Sequence, residues 1–419
     1  MNNFSALLAN YRWDQANSLY QLLLYPIFEI AGVGGLSVLN SLVGIGIFWF
    51  WWKLAGNKEI KTVLLPVVVG LSWMVVSLGI RSQVVSGVFL MSLLYFLEQY
   101  LKNPGRRNKI AIILIMWLWA NSHGSFVLGL GVIGVLLVSL LWQRAGKRFA
   151  MIAIIALGVT LLNPLGYQIY SESWRHFFVV PLNLLIAEWT APPLWVKAVV
   201  LVMGIGAGVV MWQKQKGRGI WRLVVLGVLM IMALKARRNV MYFGLFAGYL
   251  LSWVEIKTPT IKRAVKTTAL LILMIMFLFA LLIRLPLMIM ADTNFYGQHP
   301  IKYPTGAVEY LKMQAIKGNI YNRYEWGGLL IWELPEYKVF VDGRMPAWQT
   351  SSGKSPYTIY LETLQNQPGW QETLNEYKID WILISPGTFM DLLLAPNPQQ
   401  YGWEEKYRDA VSVIYFRPV

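Results

Sequence analysis

The residues able to do chemistry fall into a few short groups. Arg81-Ser-Gln83 and Arg237-Arg238 offer guanidinium forks, whose geometry matches phosphate oxygens; at a helix end the same arginines would simply snorkel. Glu188-Trp189 pairs a carboxylate fit for general-base work, or for orienting a sugar hydroxyl, with an indole that stacks on a pyranose or anchors at an interface. Asp14, the only aspartate before Asp292, is a second catalytic carboxylate or a cap for the helix that follows it. Asn121-Ser-His123-Gly124 supplies an amide and an imidazole, either as substrate contacts or as caps for the flanking helices. Asn163-Pro164-Leu-Gly166 reads as a helix stop. Further on stand Tyr321-Asn-Arg-Tyr-Glu-Trp326-Gly-Gly328 and Val339-Phe-Val-Asp342-Gly-Arg344. Asp342 falls at the carboxyl end of a strand, where open α/β sheets bind ligands, although an Asp-Gly turn bonding its own loop explains it equally well. Gly327-Gly328 has neither Walker nor Rossmann spacing.

The elements that must position these groups are apolar. Of 419 residues 56% are hydrophobic and 14% charged, with a mean hydropathy of +0.48, which specifies a multispanning α-helical membrane protein. Apolar runs at 34–52, 62–80, 82–101, 110–121, 125–143, 149–163, 194–213, 220–236, 239–256 and 267–285 give about ten spans. Before them, residues 16–31 carry leucines and isoleucines at helical spacing around Pro26, the pattern of an amphipathic helix lying in the interface.

The basic loops set the orientation. Lys53, Lys58 and Lys61, then Lys102, Arg106, Arg107 and Lys109, then Arg144, Lys147 and Arg148, then Lys214, Lys216, Arg218 and Arg222, and last Lys257, Lys262, Arg263 and Lys266 alternate with loops poor in charge. By the positive-inside rule the basic set is cytoplasmic, in a plasma (inner) membrane. The +16 formal charge is thus a topology signal and implies no nucleic-acid partner. Arg81, Asn121, His123, Glu188 and Arg237-Arg238 all fall on the opposite face, where basic residues run against the rule. The chain has no cysteine, which excludes disulfides and thiol chemistry, and three histidines, none with a partner at metal-ligand spacing. The pattern names no cofactor and leaves a divalent metal open.

Four segments are expected: an external amphipathic stretch over 1–33, a transmembrane domain over 34–285, a linker over 286–303, and an extracytoplasmic α/β domain over 304–419. In that tail helical patterns at 305–313, 357–365 and 371–377 alternate with strand patterns at 319–322, 338–342, 381–385 and 411–416. Alternation of this kind implies a small, largely parallel sheet.

Arg81-Ser-Gln83, Trp119-Ala-Asn121-Ser-His123-Gly124, Asn163-Pro164-Leu-Gly166 and Glu188-Trp189, in this order on one face, resemble bacterial membrane proteins related to the GT-C superfamily of polyprenyl-linked-sugar glycosyltransferases. That superfamily includes protein mannosyltransferases and lipid A aminoarabinose transferases. Tyr303-Pro304, 322–328 and Val341-Asp342-Gly-Arg344 look like the external tail of the same group. The resemblance implies transfer of a sugar from a polyprenyl-phosphate carrier to a lipid, glycan or protein acceptor outside the cell. Asp14 or Glu188 would deprotonate the acceptor. Arg81, Gln83, Asn121, His123, Trp189, Arg237, Arg238, Asp342 and Arg344 would bind substrate. GT-C enzymes open with a further helix and an acidic external loop; this chain begins inside what resembles that loop, with Asp14 and no Asp-x-Asp. Either an upstream helix precedes it or the acidic site is degenerate. The alternative function is a non-catalytic lipid-carrier binder or envelope-assembly protein.

Overall fold

The computed structural model describes residues 4–8, 17–56, 58–76, 81–174, 187–215, 219–254, 302–345 and 348–418, with isolated positions at 268, 271, 272 and 275. Asp14, His176 and His299 lie outside the described residues, as do nearly all of the span expected at 267–285 and of the linker expected at 286–303. The chain divides into two compact units. One is Asp14–Asp292; the other combines Met1–Trp13 with Thr293–Val419.

The larger unit is helical: α1 (Ser18–Leu54), α2 (Lys58–Val76), α3 (Ser82–Lys102), α4 (Arg106–Ala120), α5 (Phe126–Trp142), α6 (Lys147–Val159), α7 (Gln168–Trp174), α8 (Leu194–Gln215), α9 (Ile220–Lys235) and α10 (Val240–Leu251). Helix α1 runs through both the expected interface helix and the first expected span. It kinks at Gly32, whose φ of 54° and ψ of −154° suit a residue without a Cβ. Helix α10 has no polar face, being Val-Met-Tyr-Phe-Gly-Leu-Phe-Ala-Gly-Tyr-Leu-Leu, and such a helix is stable only when surrounded. Every residue from Val240 to Leu250 is buried. Trp51 of α1 reaches it and donates its indole N–H to the Leu245 carbonyl at 3.0 Å.

Three of the described helices are both long and apolar enough to cross a membrane: Ser18–Leu54, Ser82–Lys102 and Leu194–Lys214; Phe126–Trp142 is shorter but equally apolar. By length and composition, three of the roughly ten runs expected from hydropathy qualify as full spans among the described residues. The polar turns shorten the rest: Asn121–Ser125 separates α4 from α5, and Thr160–Gly166 ends α6.

One end of the bundle is held by charge. Arg222 is not the loop cation that the topology count made of it. It is buried and donates from Nε and Nη2 to both oxygens of the equally buried Glu98, at 2.8 and 2.6 Å. Tyr249 donates to the same carboxylate at 2.7 Å, and the indoles of Trp221 and Trp253 lie 4.5 and 5.2 Å from the guanidinium carbon.

The smaller unit is a five-stranded sheet, β1 (Asn319–Asn322), β2 (Lys338–Val339), β3 (Ile379–Ile384), β4 (Glu404–Arg408) and β5 (Val413–Phe416), in the order β2-β1-β3-β5-β4. Its helices are α11 (Thr305–Lys312), α12 (Gly327–Glu333), α13 (Pro356–Leu364), α14 (Trp370–Glu376) and α15 (Phe389–Leu394). The sheet is mixed. β1 pairs parallel with β2 and β3, but β3–β5 and β5–β4 are antiparallel. The expectation of a largely parallel sheet missed β4, because Glu-Glu-Lys-Tyr-Arg has no apolar alternation; a charged strand of this kind suits a sheet edge. Both faces are covered. Tyr321, Ile382 and Tyr415 enter one core cluster, and their neighbours Ile320, Trp381, Leu383 and Ile414 the other.

Residues 4–8 lie along the β2 side of this sheet. Ser5 bridges Val339 in parallel, and two backbone bonds of 2.9 Å join Val339 to Phe4 and Ala6. Leu7 is buried in the core beyond them.

Candidate functional site

At the end of the bundle opposite the Glu98–Arg222 pair, three segments converge. Arg81 stands in extended conformation just before α3. Glu188 sits in the 3-10 turn Ala187–Trp189, and Arg238 in the turn Arg237–Asn239 that connects α9 to α10. The two turns are stitched together, since Arg237 donates its backbone N–H to Thr190 O at 3.0 Å. Its guanidinium, on an exposed side chain, also reaches Ala191 O at 3.4 Å.

Glu188 is the hub. One of its oxygens takes the Arg81 guanidinium at 2.6 Å; the other faces that of Arg238 at 3.5 Å. Arg238 stacks over Trp189 with its guanidinium carbon 4.3 Å from the ring centre, and the buried Gln83 amide donates to its carbonyl at 3.2 Å. Burial pulls the Arg238 guanidinium below its ordinary value, against the opposing attraction of Glu188. Arg81 is half exposed, at 50% of its side chain, whereas Arg238 and Glu188 are mostly covered at 15% and 19%. An anion arriving from outside would therefore meet Arg81 first.

Beneath this cluster lies a second one. Ser86, one helical turn beyond Gln83, accepts from Trp119 Nε1 at 3.1 Å and from the Ser125 hydroxyl at 2.8 Å. It also faces His123 Nδ1 at 3.0 Å. The Ser125 backbone N–H donates to the same Nδ1 at 3.2 Å. A ring nitrogen that accepts a backbone N–H carries no proton, so His123 is held as the neutral tautomer protonated on Nε2. Tyr242 places its hydroxyl beside Ser86 and Ser125, buried and without a well-formed hydrogen bond.

The other expected residues are occupied elsewhere. Asn121 donates to Trp117 O and Leu162 O at 2.9 and 3.0 Å, and its carbonyl accepts from Leu19 N. It thereby joins the ends of three helical segments. Asn163 closes an Asx turn, accepting from Leu165 N at 2.7 Å, with Gly166 at φ +56°. In the smaller unit, Asp342 is buried and binds the backbone and side chain of Arg344 two residues on. Gly327 packs on that turn so closely that a Cβ there would lie 2.2 Å from Val341 O and 2.7 Å from the Asp342 Cβ. Asn322, fully buried, accepts from Phe340 N and donates to Val341 O. The two tail motifs are thus the two halves of one stitched core.

Sequence reasoning passed over Ser86, Ser125 and Tyr242, whose only signal is a hydroxyl within one turn of a named polar residue. It also passed over Glu98, although a lone carboxylate late in an apolar run is costly enough to mark it. Among the described residues no group of three His, Asp or Glu could hold a metal ion.

No protein-family model matches the chain, and no curated protein matches its sequence. Solved structures do. The oligosaccharyltransferase of Archaeoglobus fulgidus in its apo form superposes with a TM-score of 0.57 at 10% identity, covering 92% of this chain and 63% of the other. The archaeal oligosaccharyltransferase AglB of the same organism, in complex with an inhibitory peptide and a dolichol-phosphate, gives 0.55 at 11% identity, again covering 92% and 63%. The form tethered to an acceptor peptide with the NVT sequon gives 0.57 at 12%, covering 92% and 62%. This chain thus spans under two thirds of the length of each. At this identity the likeness is one of fold: the chain shares the fold of these oligosaccharyltransferases over 92% of its length.

Proposed function

We propose that the chain is a plasma-membrane glycosyltransferase of about ten spans that moves a sugar from a polyprenyl-phosphate carrier to an extracytoplasmic lipid, glycan or protein acceptor. The observation that carries this reading is the convergence of Arg81 and Arg238, from the starts of two different helices, on Glu188. The shared fold supports it, and one structure of that fold holds a dolichol-phosphate, the same class of carrier. The span count has its own support. Residues 4–8 fold with the tail, which supports both lying on one side of the membrane with an even number of crossings between them.

In this reading Glu188 is a latch. Without donor, its carboxylate neutralises two guanidiniums. A carrier phosphate offers more acceptor oxygens and takes the same forks, so it displaces the carboxylate. Glu188 is then released to face the acceptor hydroxyl as general base, with Asp14 the other candidate. The acceptor oxygen bonds to the anomeric carbon as the bond from that carbon to the phosphate oxygen breaks, with inversion. The acceptor proton passes to the carboxylate, and Arg81 and Arg238, with Arg237 beside them, stabilise the charge left on the phosphate. Gln83 acts as a positioning residue by holding the Arg238 carbonyl, and His123 is a candidate contact for sugar or phosphate.

The test is transfer by the full chain in lipid nanodiscs, read as release of polyprenyl phosphate from a polyprenyl-phosphate-linked sugar. Glu188→Gln should abolish turnover while donor still binds, and Arg238→Ala should raise the donor KM. Wild-type turnover in both variants would sink the proposal. One observation favours a second reading, a carrier binder without transfer: both oxygens of Glu188 are already ion-paired. That reading gains if Arg238→Ala weakens carrier binding and no acceptor supports turnover by the wild-type chain.

A further inference from the structure

The sheet of the smaller unit changes direction between β1 and β3. From β1 the chain leaves toward β2 on one side; from β3 it leaves toward β4 on the other. In open α/β sheets the crevice outside the carboxyl ends of two such strands is where ligands bind. Here it is an open cavity of about 350 Å³, within the ~300–1,000 Å³ range of small-molecule sites. It lies one strand away from Asp342, which the strand-end argument had singled out.

The residues that follow the two strands meet across it. Arg323, next after β1, donates from Nη1 to the hydroxyl of Ser385, next after β3, at 2.7 Å. Its Nε donates to Glu325 at 2.8 Å. The guanidinium is therefore charge-balanced before any ligand arrives, and a strongly anionic ligand would meet Glu325. The rest of the lining is three tyrosines together with Leu361, Leu364, Ile384 and Thr388. Tyr324 and Tyr357 pack edge to face with ring centres 4.7 Å apart, and Tyr357 and Tyr360 lie 5.9 Å apart. Burial, with Glu325 adding to it, pushes the Tyr357 hydroxyl up, so it stays a donor at neutral pH. A balanced carboxylate–guanidinium pair, hydroxyl groups and a tyrosine wall suit one chemistry: a ring with an apolar face and a rim of neutral hydroxyls.

We infer that the crevice formed by Arg323, Glu325, Tyr324, Tyr357, Tyr360 and Ser385 is a binding site for a neutral pyranose. Its ring would stack on the tyrosines while vicinal hydroxyls bridge Arg323 and Glu325. The inference stands whether or not the bundle transfers a sugar.

Saturation-transfer difference NMR on the detergent-solubilised full chain tests it, with methyl glycosides of neutral hexoses and N-acetylhexosamines as probes and glucuronate and inorganic phosphate as anionic controls. At least one neutral glycoside should receive saturation. Tyr357→Ala and Arg323→Gln should each weaken its binding about tenfold or more, the loss of roughly one hydrogen bond to a charged group or its stacking equivalent. Tyr357→Phe, which keeps the ring but removes the hydroxyl donor, should fold like wild type and bind more weakly than wild type but more tightly than Tyr357→Ala, and Arg238→Ala in the bundle should leave this signal in place. Three results would overturn the inference: no transfer to any neutral glycoside, stronger transfer to the anionic probes, or a signal lost in Arg238→Ala but kept in Tyr357→Ala. Loss of turnover in the Glu188→Gln variant with the glycoside signal intact would bear on the bundle alone.

Discussion

Replacing Glu98 by alanine should damage the bundle far more than its single charge suggests. The substitution removes an acceptor that takes two charge-assisted bonds from Arg222, at 2.8 and 2.6 Å, and one from Tyr249 at 2.7 Å. Arg222 is 5% exposed, so water cannot replace the carboxylate. Breaking a buried pair by removing one partner costs about 3–5 kcal/mol, because the other charge is left uncompensated. At ~2–4 °C per kcal/mol for a domain of about this size, the melting temperature should fall by about 6–20 °C. The converse experiment separates charge from packing. Combining Glu98→Met, Arg222→Met and Tyr249→Phe removes all three polar partners together, and a buried pair exchanged for apolar groups of similar volume is often neutral or stabilising. The triple variant should therefore recover most of the loss. The assay is thermal unfolding of the full chain in detergent, followed by intrinsic fluorescence, with carrier-phosphate binding measured alongside. A Glu98→Ala variant that melts with wild type would refute the reasoning. A triple variant as unstable as the single one would show instead that the packing of Arg222 between Trp221 and Trp253, rather than charge, supplies the stability.

Two further predictions concern the smaller unit. The buried Asp391 binds Arg408 at 2.8 Å and Tyr415 at 2.6 Å; burial raises its carboxyl, but these bonds and that from Gly387 N outweigh it, leaving the group below the usual carboxylate range. A depressed pKa contributes stability that is present above the ordinary carboxylate value and lost as pH falls through the folded one. Asp391→Asn should accordingly destabilise the chain at neutral pH, and the gap from wild type should narrow in acid. A gap constant with pH in thermal melts would contradict this. Gly327→Ala should cost about 1–3 kcal/mol through overpacking on the Asp342 turn, read as a lower unfolding midpoint in denaturant, whereas Gly328→Ala, with open space around it, should be near neutral.

The helical class and nearly all helix positions were legible because apolar runs and polar turns alternate along residues 34–251. What periodicity could not carry was the number of full spans, since α4, α6, α9 and α10 are too short to qualify on length alone. Nor could it place residues 4–8, because joining a sheet edge beside Val339 is a tertiary decision with no local signal. Among the candidate residues, Arg81, Glu188, Trp189 and Arg238 were singled out by type and face, and the fold brings them together. Asn121 closes the end of α4 through Trp117 O, one of the two roles its place in the turn allowed. Ser86 and Ser125 escaped notice because serine is ordinary at helix ends, and only the shared partner His123 distinguishes them. Arg222 misled, since a basic residue just after a loop looks the same in sequence whether it faces solvent or a buried carboxylate.

The exchange of phosphate for Glu188 is the centre of the account, and binding of a long-chain polyprenyl monophosphate to the full chain in nanodiscs measures it directly. Arg238→Ala should weaken that binding about tenfold or more, the worth of one charge-assisted bond. Glu188→Gln should bind the phosphate as tightly as wild type or tighter, because the competing carboxylate is gone. If Glu188→Gln instead weakens binding as much as Arg238→Ala does, the carboxylate supports the phosphate site rather than competing for it, and the latch is wrong.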